Sequence, residues 1–305
     1  MKYPLENLAS DKEFEDLVAL ICERILGMGT IVFSVGKDGG KDAKFNGTAN
    51  KYPSETAPWR GKIIIQAKHT QHPNASCSDS DFKRILKNEV IPSIKKLIES
   101  NEIDFYLLFT NRKLSGIQDK KIEDLFDEET NIENRVIGSE RIDLWLNEYP
   151  EIAKTLNLNR LLLPLEFNEE DLKDIVLAFS NIDVKISDFP EIPEERDIEK
   201  KNELNNLSKD YFDTVLKRNM TYFDQITAFL NDPDNKELLE KYKNTIADLN
   251  EEITIHRNEY EKFEMILNHL YKIVLDKFPN LKDKRRLVRV FLHYMYYNCD
   301  IGKNE

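Results

Sequence analysis

Two carboxylates, an amide and a lysine in the first seventy residues are spaced so that one site can hold them all. In "KIIIQAKH" (62–69), strand alternation puts Ile63, Ile65 and Ala67 on one face and Lys62, Ile64, Gln66 and Lys68 on the other. Gln66 and Lys68 then project side by side. If "DAKF" (42–45) opens the neighbouring strand of a meander, Asp42 lies opposite them. Glu15, on a preceding helix and on a different face from Leu17 and Ile21, can approach the same point. Hard oxygen donors of this kind suit Mg²⁺, with Mn²⁺ as a substitute. A lysine beside them can orient or deprotonate water for in-line attack on a phosphodiester.

The glycine turn before Asp42, "VGKDGGKDAKF" (35–45), fits two other chemistries poorly. A Walker loop needs GxxxxGK[ST], and this turn has neither that spacing nor the hydroxyl. A dinucleotide fingerprint needs GxGxxG running into a helix, whereas here a strand pattern follows. The glycines therefore read as hairpin geometry that supplies positive φ where the turn is tight. His69, His72 and Cys77 in "HTQHPNASC" lack a fourth ligand at zinc spacing and read as a polar loop.

The elements that must position these groups alternate. Ser10, with Glu13 three residues on, caps a helix whose Phe14, Leu17, Val18, Ile21, Cys22 and Ile25 recur at helical spacing. "TIVFSV" and "GKIIIQAKH" are strands. The stretch between them, "NGTANKYPSETAPWRG", is longer than a hairpin requires and is a candidate substrate or partner loop. "SDFKRILKNEVIPSIKKLIES" is a helix interrupted near Pro92, "DFYLLFTN" a buried strand, and "NRVIGSERIDLWLNEYPEIAKTL" a strand, a turn and a helix. The order predicts an α/β class, a sandwich with helices covering a central mixed sheet. Lys83, Arg84, Lys87, Lys95 and Lys96 on the second helix form either a phosphate-contacting face or a solvated one. Arg112, with Thr110 and Asn111 after the buried strand, is a further candidate DNA contact.

After Leu165 the pattern turns helical. Asn168 caps one helix, "DFPEIPEERD" (188–197) is the linker candidate, and the rest predicts an all-α domain. This gives a domain at 1–165, a helix and acidic linker at 166–200, and a helical regulatory or oligomerisation domain at 201–305. Leu239, Tyr242, Ile246, Leu249, Ile253, Tyr260, Phe263, Leu267, Leu270 and Val274 alternate by three and four residues, with His256 in the one missing slot. That spacing predicts one continuous helix of about 36 residues carrying a coiled-coil seam, or else the core stripe of an α-bundle. His256 there is a polar layer that fixes register, or a ligand or pH switch. The last helix, "DKRRLVRVFLHYMYYNCDIG", is apolar almost all round past Arg289 and must be buried.

A net charge of −12 argues against a nucleic-acid coat protein, but its distribution decides more. Residues 1–165 hold 23 basic and 26 acidic groups and residues 166–305 hold 21 and 30, while 60–113 reverse sign with ten against six. A local basic surface can neutralise phosphates on an acidic chain, and the acidic second half suits protein contacts. Apolar runs are too short to cross a bilayer, the start has no signal-peptide pattern, and three cysteines without a CxxC pair point to a reducing cytoplasm.

"FEDLV", "GKDGGKDAKF" and "IIIQAKH" together resemble the Mrr-like branch of the PD-(D/E)XK restriction-endonuclease superfamily, whose pattern is FExLV on the first helix, DGGxD at a hairpin and QxK on the next strand. The resemblance implies that Asp42 is the metal-binding aspartate, that Gln66 stands where most relatives carry Glu or Asp, that Lys68 is the catalytic lysine, and that Glu15 is a metal ligand or supports one. Asp38 then shapes the turn. "HYMYYNCDIG" and "GSERIDLWLNEYPEIAKTL" are similar to segments of effector subunits in ABC-three-component antiphage systems, which include Lamassu. That likeness implies a nuclease effector held inactive by an SMC-like ATPase, with a small accessory subunit, released to self-associate on double-stranded DNA. Two rival readings are a stand-alone type IV-like restriction enzyme acting on modified DNA, and a non-catalytic coiled-coil scaffold on a degenerate nuclease fold.

Overall fold

The computed structural model describes residues 2–33, 41–180 and 197–304. The glycine turn with Asp38, and the acidic linker apart from Asp197, lie outside the described residues. The chain divides into two compact units, 1–163 and 164–305.

In the first unit, helix α1 (Asp11–Ile25) begins where Ser10 Oγ accepts the Glu13 amide at 3.3 Å, while Glu13 reaches back to the Ala9 amide at 2.7 Å. Strands β1 (Ile31–Val32), β2 (Ala43–Thr48) and β3 (Arg60–Lys68) form an antiparallel meander. The chain then passes through α2 (Ser80–Ile85), a π turn (Leu86–Val90) and α3 (Ile91–Glu99) to β4 (Phe105–Thr110). The interruption expected near Pro92 is this wide turn. Proline offers no amide to the preceding turn, and its ring crowds the carbonyl four residues back. Helix α4 (Gly116–Thr130) leads to β5 (Glu133–Ile137), followed by α5 (Ser139–Glu148) and α6 (Pro150–Thr155). Periodicity did not predict α4, whose buried apolar stripe is only Ile122 and Phe126.

Among the described residues the sheet runs β1-β2-β3-β4-β5, with β3, β4 and β5 parallel. The mixed sheet sandwiched by helices is the predicted class. Each face has its own core. Ile63, Ile65, Leu107 and Phe109 pack with α1, α5 and α6, while Ile64, Tyr106, Leu108 and Val136 pack with α2, α3 and α4. The alternation read from β3 is thus real on both faces. The long 48–60 connection is not a free loop. Trp59 stacks on Phe105 at 4.6 Å, Tyr52 meets Trp59 edge-on, and the Trp59 indole N–H donates to Glu133 at 3.0 Å. It lies at the start of β3, and nine residues of strand put the Gln66 end roughly 25 Å away.

The second unit is helical. Asn168 Oδ1 accepts the Asp171 amide at 3.0 Å to start α7 (Glu169–Ser180). Then come α8 (Ile198–Asn205), the short α9 (Lys209–Tyr211) and α10 (Lys217–Asn219) joined by a π turn, α11 (Phe223–Asn231), α12 (Lys236–His256), α13 (Phe263–Lys277) and α14 (Arg285–Tyr297). The expectation of one continuous helix across 239–274 is corrected: the chain breaks between α12 and α13. Arg257 donates to the Asn205 carbonyl at 2.7 Å and the Phe263 amide bonds the Asn206 carbonyl at 3.2 Å. Those bonds to α8 replace the helical ladder across the break. The 3,4-spaced residues are the core stripe of a bundle, for Tyr242, Ile246, Leu249, Ile253, Phe263, Leu267, Leu270 and Val274 share one cluster with α7 and α14.

Helix α14 is buried within this unit, as its all-round apolarity required. Its polar groups are accounted for one by one. His293 is fully buried between the Tyr211 hydroxyl (2.8 Å) and the Asn219 amide (2.7 Å), and burial, aided by Arg289, pushes its pKa down to about 3. The tail that follows is clamped. The ammonium of Lys201, only 2 % exposed, donates to the Ile301 carbonyl at 2.8 Å and the Asn304 amide oxygen at 2.5 Å. Asn205 pairs with Lys303 through both its amide groups, at 2.7 and 2.8 Å. Asn250 holds the Asp300 carbonyl and the Gly302 amide. Gly302 has φ +82°, and a Cβ there would stand 2.9 Å from Asn205 Oδ1. Asn205→Ala, which removes both hydrogen bonds to the Lys303 backbone, is expected to lower the stability of this unit by about 1–2 kcal/mol. Urea unfolding of the full chain, followed by circular dichroism, checks this, and an unchanged helical transition would count against the clamp.

Candidate active site

Strand pairing between β2 and β3 ends at Ala43 opposite Ile65, with the Asp42 amide still donating to the Ile65 carbonyl at 3.0 Å. Beyond that point β2 has no backbone left to receive the amide of Ala67. The Asp42 carboxylate takes that place, and its Oδ2 accepts the Ala67 N–H at 2.6 Å. A carboxylate is thereby fixed beside the residue that separates Gln66 from Lys68.

Gln66 is 5 % exposed and sits across from Leu108 of β4. Tyr106, two residues earlier on the same face of β4, donates its hydroxyl to Gln66 Oε1 at 2.5 Å and so sets the direction of the amide. Burial holds the Tyr106 hydroxyl well above its ordinary pKa, and the negative charge of Asp42 adds to this. Glu15, half-buried on α1, also has a raised pKa, first because of burial and then because of Asp42. That second cause places the two carboxylates within electrical reach, although Lys12 offsets it with an ion pair to Glu15 at 3.4 Å. Lys68 ends β3 and makes an ion pair with Glu89 of the π turn at 2.8 Å. Asp42 and Gln66 are thus brought together with Glu15 in electrical reach of Asp42, and Lys68 lies one same-face position beyond Gln66, held by an acid from another element.

Two residues of this arrangement escaped the sequence reading. Tyr106 carries a weak signal, a hydroxyl inside an otherwise apolar strand that needs a buried partner. Glu89 carries none, since a lone acid on a basic helix has many possible partners.

The donor set can be tested against a divalent ion. Two carboxylates and an amide oxygen are hard donors of the number that Mg²⁺ takes from protein while keeping several waters. The raised pKa of Glu15 comes first from burial, and the neighbouring charge of Asp42 adds to it. The residues fit such an ion.

The remaining candidates divide. Lys83, Arg84 and Lys87 are exposed on one stretch of α2 and the π turn. Arg112 is not presented to a ligand. It is 3 % exposed, its guanidinium pairs with Asp81 at 2.6 Å and Asp79 at 3.3 Å, and it lies over the Phe82 ring. The reading of Arg112 as a DNA contact therefore gives way to a structural one, the buried clamp between the β4 loop and α2. Asn111 is likewise engaged, trading two hydrogen bonds with Thr70. His69 has both ring nitrogens occupied, by Asp11 (3.0 Å) and the Leu5 carbonyl (2.9 Å), and burial pushes the Cys77 thiol up to about 12. The polar-loop reading of that segment accords with this geometry.

Residues 161–302 match the family model of C-terminal domain 12 of the ABC-three component (ABC-3C) systems. The match covers a little under half of the chain, includes nearly all of the second unit, and supports membership in such a system. It contains one of the two segments on which the sequence likeness to these systems rested, "HYMYYNCDIG", while "GSERIDLWLNEYPEIAKTL" (138–156) lies outside it. No curated protein and no solved structure matches the chain. Among the described residues no helix is long and apolar enough to cross a membrane.

The Arg112 clamp predicts a stability effect with a defined sign. Burial opposes the charge of Asp81, but Arg112 outweighs it and holds the carboxyl below its ordinary 3.8. That contribution is present above 3.8 and is lost as pH falls through the lowered value. Arg112→Ala leaves two acids beside an apolar ring and should cost about 2–4 kcal/mol, with Arg112→Lys recovering little because the planar fork is lost. Thermal unfolding at neutral pH checks this. A variant of unchanged stability but weakened DNA binding would restore the ligand-contact reading.

Proposed function

We propose that the first unit is a metal-dependent DNA endonuclease and that the chain is the nuclease effector of an ABC-three-component antiphage system of the Lamassu type. One observation carries the reading: where β2 leaves β3, the Asp42 carboxylate is fixed beside Gln66 and Lys68, with Glu15 in reach of its charge. The order of those groups along the chain is that of the Mrr-like nucleases. The match of the second unit to a domain of ABC-3C systems favours this over a stand-alone restriction enzyme.

In this reading Asp42, Glu15 and the Gln66 amide oxygen hold a Mg²⁺ ion. When bound, the ion polarises the scissile phosphate and lowers the pKa of a water. The protein groups do the rest. Tyr106 fixes the amide by donating to its carbonyl oxygen, which keeps a second lone pair for the ion. Lys68, a charged ammonium paired with Glu89, is suited to orient the attacking water and to stabilise charge that develops on the phosphate oxygens. Lys83, Arg84 and Lys87 supply phosphate contacts that position the duplex without reading its sequence. An SMC-like ATPase and a small accessory subunit would restrain the chain, and release would allow self-association on double-stranded DNA in the cytoplasm.

Supercoiled plasmid with Mg²⁺, alone and with the ATPase partner and DNA ends, tests the activity. Asp42→Ala and Lys68→Ala should each lower cleavage by about 10²-fold or more. Equal cleavage by wild type and both variants would end the site assignment, and no cleavage under any condition would favour a scaffold.

A second test needs no turnover. The raised pKa of Glu15 means that folding costs stability as pH rises from its ordinary 4.5 through the raised value. Without metal at neutral pH, Glu15→Gln should therefore be neutral or stabilising by up to about 0.5 kcal/mol. The rise in Tm that Mg²⁺ gives the wild type should shrink in this variant. An equal Mg²⁺ shift in both would place the ion away from Glu15.

A further inference from the structure

The break between α12 and α13 brings together three side chains that the endonuclease reading leaves unused. Glu252 and His256 lie one helical turn apart on α12, and His269 comes from α13. Each offers one ligand atom, and these atoms lie within 4.8 Å of one another, the one such His/Cys/Asp/Glu group among the described residues. His256 Nε2 is 3.4 Å from Glu252 Oε2, and the two imidazole rings are 4.5 Å apart.

The outer partners are arranged as metal-bound imidazoles require. His256 Nδ1 faces Glu259 at 3.0 Å and His269 Nδ1 faces the Tyr260 hydroxyl at 3.2 Å. Both partners come from the short segment that breaks the helix. A histidine that ligates a metal through one nitrogen characteristically engages the other with a carboxylate or another polar group. His269 Nε2 is buried with no hydrogen-bond partner, a position that ordinarily has a cost.

We propose that Glu252, His256 and His269, the histidines through Nε2, form a Zn²⁺ site that staples α12 to α13. Two imidazoles and a carboxylate suit zinc and not Mg²⁺, which prefers oxygen donors. Tetrahedral zinc with bonds of about 2.0–2.1 Å sets its ligand atoms about 3.3 Å apart. The Glu252–His256 pair already has that spacing, and a small side-chain turn brings in His269. Water completes the coordination. The metal supplies across the break the continuity that the helical ladder lacks, so that His256, the polar member of an apolar stripe, acts as a ligand.

The test uses tag-free, chelator-treated full-length chain carrying Asp42→Ala, which removes competition from the first unit. Titration with ZnCl₂ should show one high-affinity equivalent per chain and a rise in Tm, undiminished by excess Mg²⁺. Co²⁺ in place of zinc should give the intense visible absorption of a tetrahedral ion. His269→Gln and Glu252→Gln should each weaken Zn²⁺ binding by about tenfold or more and abolish the cobalt band. If His269→Gln fails to fold by circular dichroism, the half-buried Glu252 decides the matter alone. No high-affinity equivalent in the parent, or zinc binding and a cobalt band unchanged by Glu252→Gln, overturns the proposal.

Discussion

The hydrogen bond from the Ala67 amide to Asp42 Oδ2 is where the geometry of the first unit is decided. β3 pairs with β2 on one edge and with β4 on the other, and its pairing with β2 stops at Ala43 opposite Ile65, before β3 itself ends at Lys68. The amide exposed by that departure needs an acceptor, since an unpaired backbone donor in a half-buried position is expensive. Asp42 meets the need with a side chain and not with a strand, at 2.6 Å. A single residue thus terminates the pairing and plants a negative charge at the sheet edge. With water, asparagine could accept the same bond. The charge is felt by Glu15 and Tyr106, whose pKa values it helps to raise, and in the proposed function it is what a divalent cation would meet.

Around that contact, each neighbour is held by a different layer. Glu15 comes from α1 on one face of the sheet, whereas Tyr106 and Glu89 belong to the side covered by α2, the π turn and α3. The site is therefore assembled where both cores end, and its precision depends on two independently packed layers. Pro92 has a part in this. By widening the helix into a π turn, it sets the backbone from which Glu89 reaches Lys68.

Much of this was legible in the sequence because it is periodic. Strand alternation over 62–68 and helical spacing over 14–25 fixed which side chains share a face, and the capping boxes at Ser10 and Asn168 marked two helix starts. The parts that were not legible depend on contacts between distant segments. Glu89 and Tyr106 reach the site through pairings 21 and 40 residues apart in the chain. Arg112 looked like a loop cation because nothing local announces Asp79 and Asp81, more than thirty residues upstream, as its partners. The 3,4 stripe was read as one helix because an apolar repeat reports a buried face and says little about whether the backbone under it is continuous. "HRNEY" contains no proline or glycine, and the break is made by tertiary bonds to α8.

The same distinction explains the tail. "HYMYYNCDIG" was informative as a motif, and its physical content is a set of side chains that replace regular structure. His293 bridges two polar partners in the core, Tyr242 bonds Asp300, and Lys201, Asn205 and Asn250 hold the carbonyls and amides that an extended chain end leaves open. The buried ammonium of Lys201 is met by two oxygens and by the face of Tyr296. Such a closure requires particular residues at particular places: an amide at 205, a glycine at 302, a histidine without charge at 293. Sequence signatures of helical domains come from points of this kind, where the backbone departs from the helix and polar groups must find one partner each. The apolar stripe beneath can vary in composition so long as its volume is kept, whereas the clamp admits few exchanges.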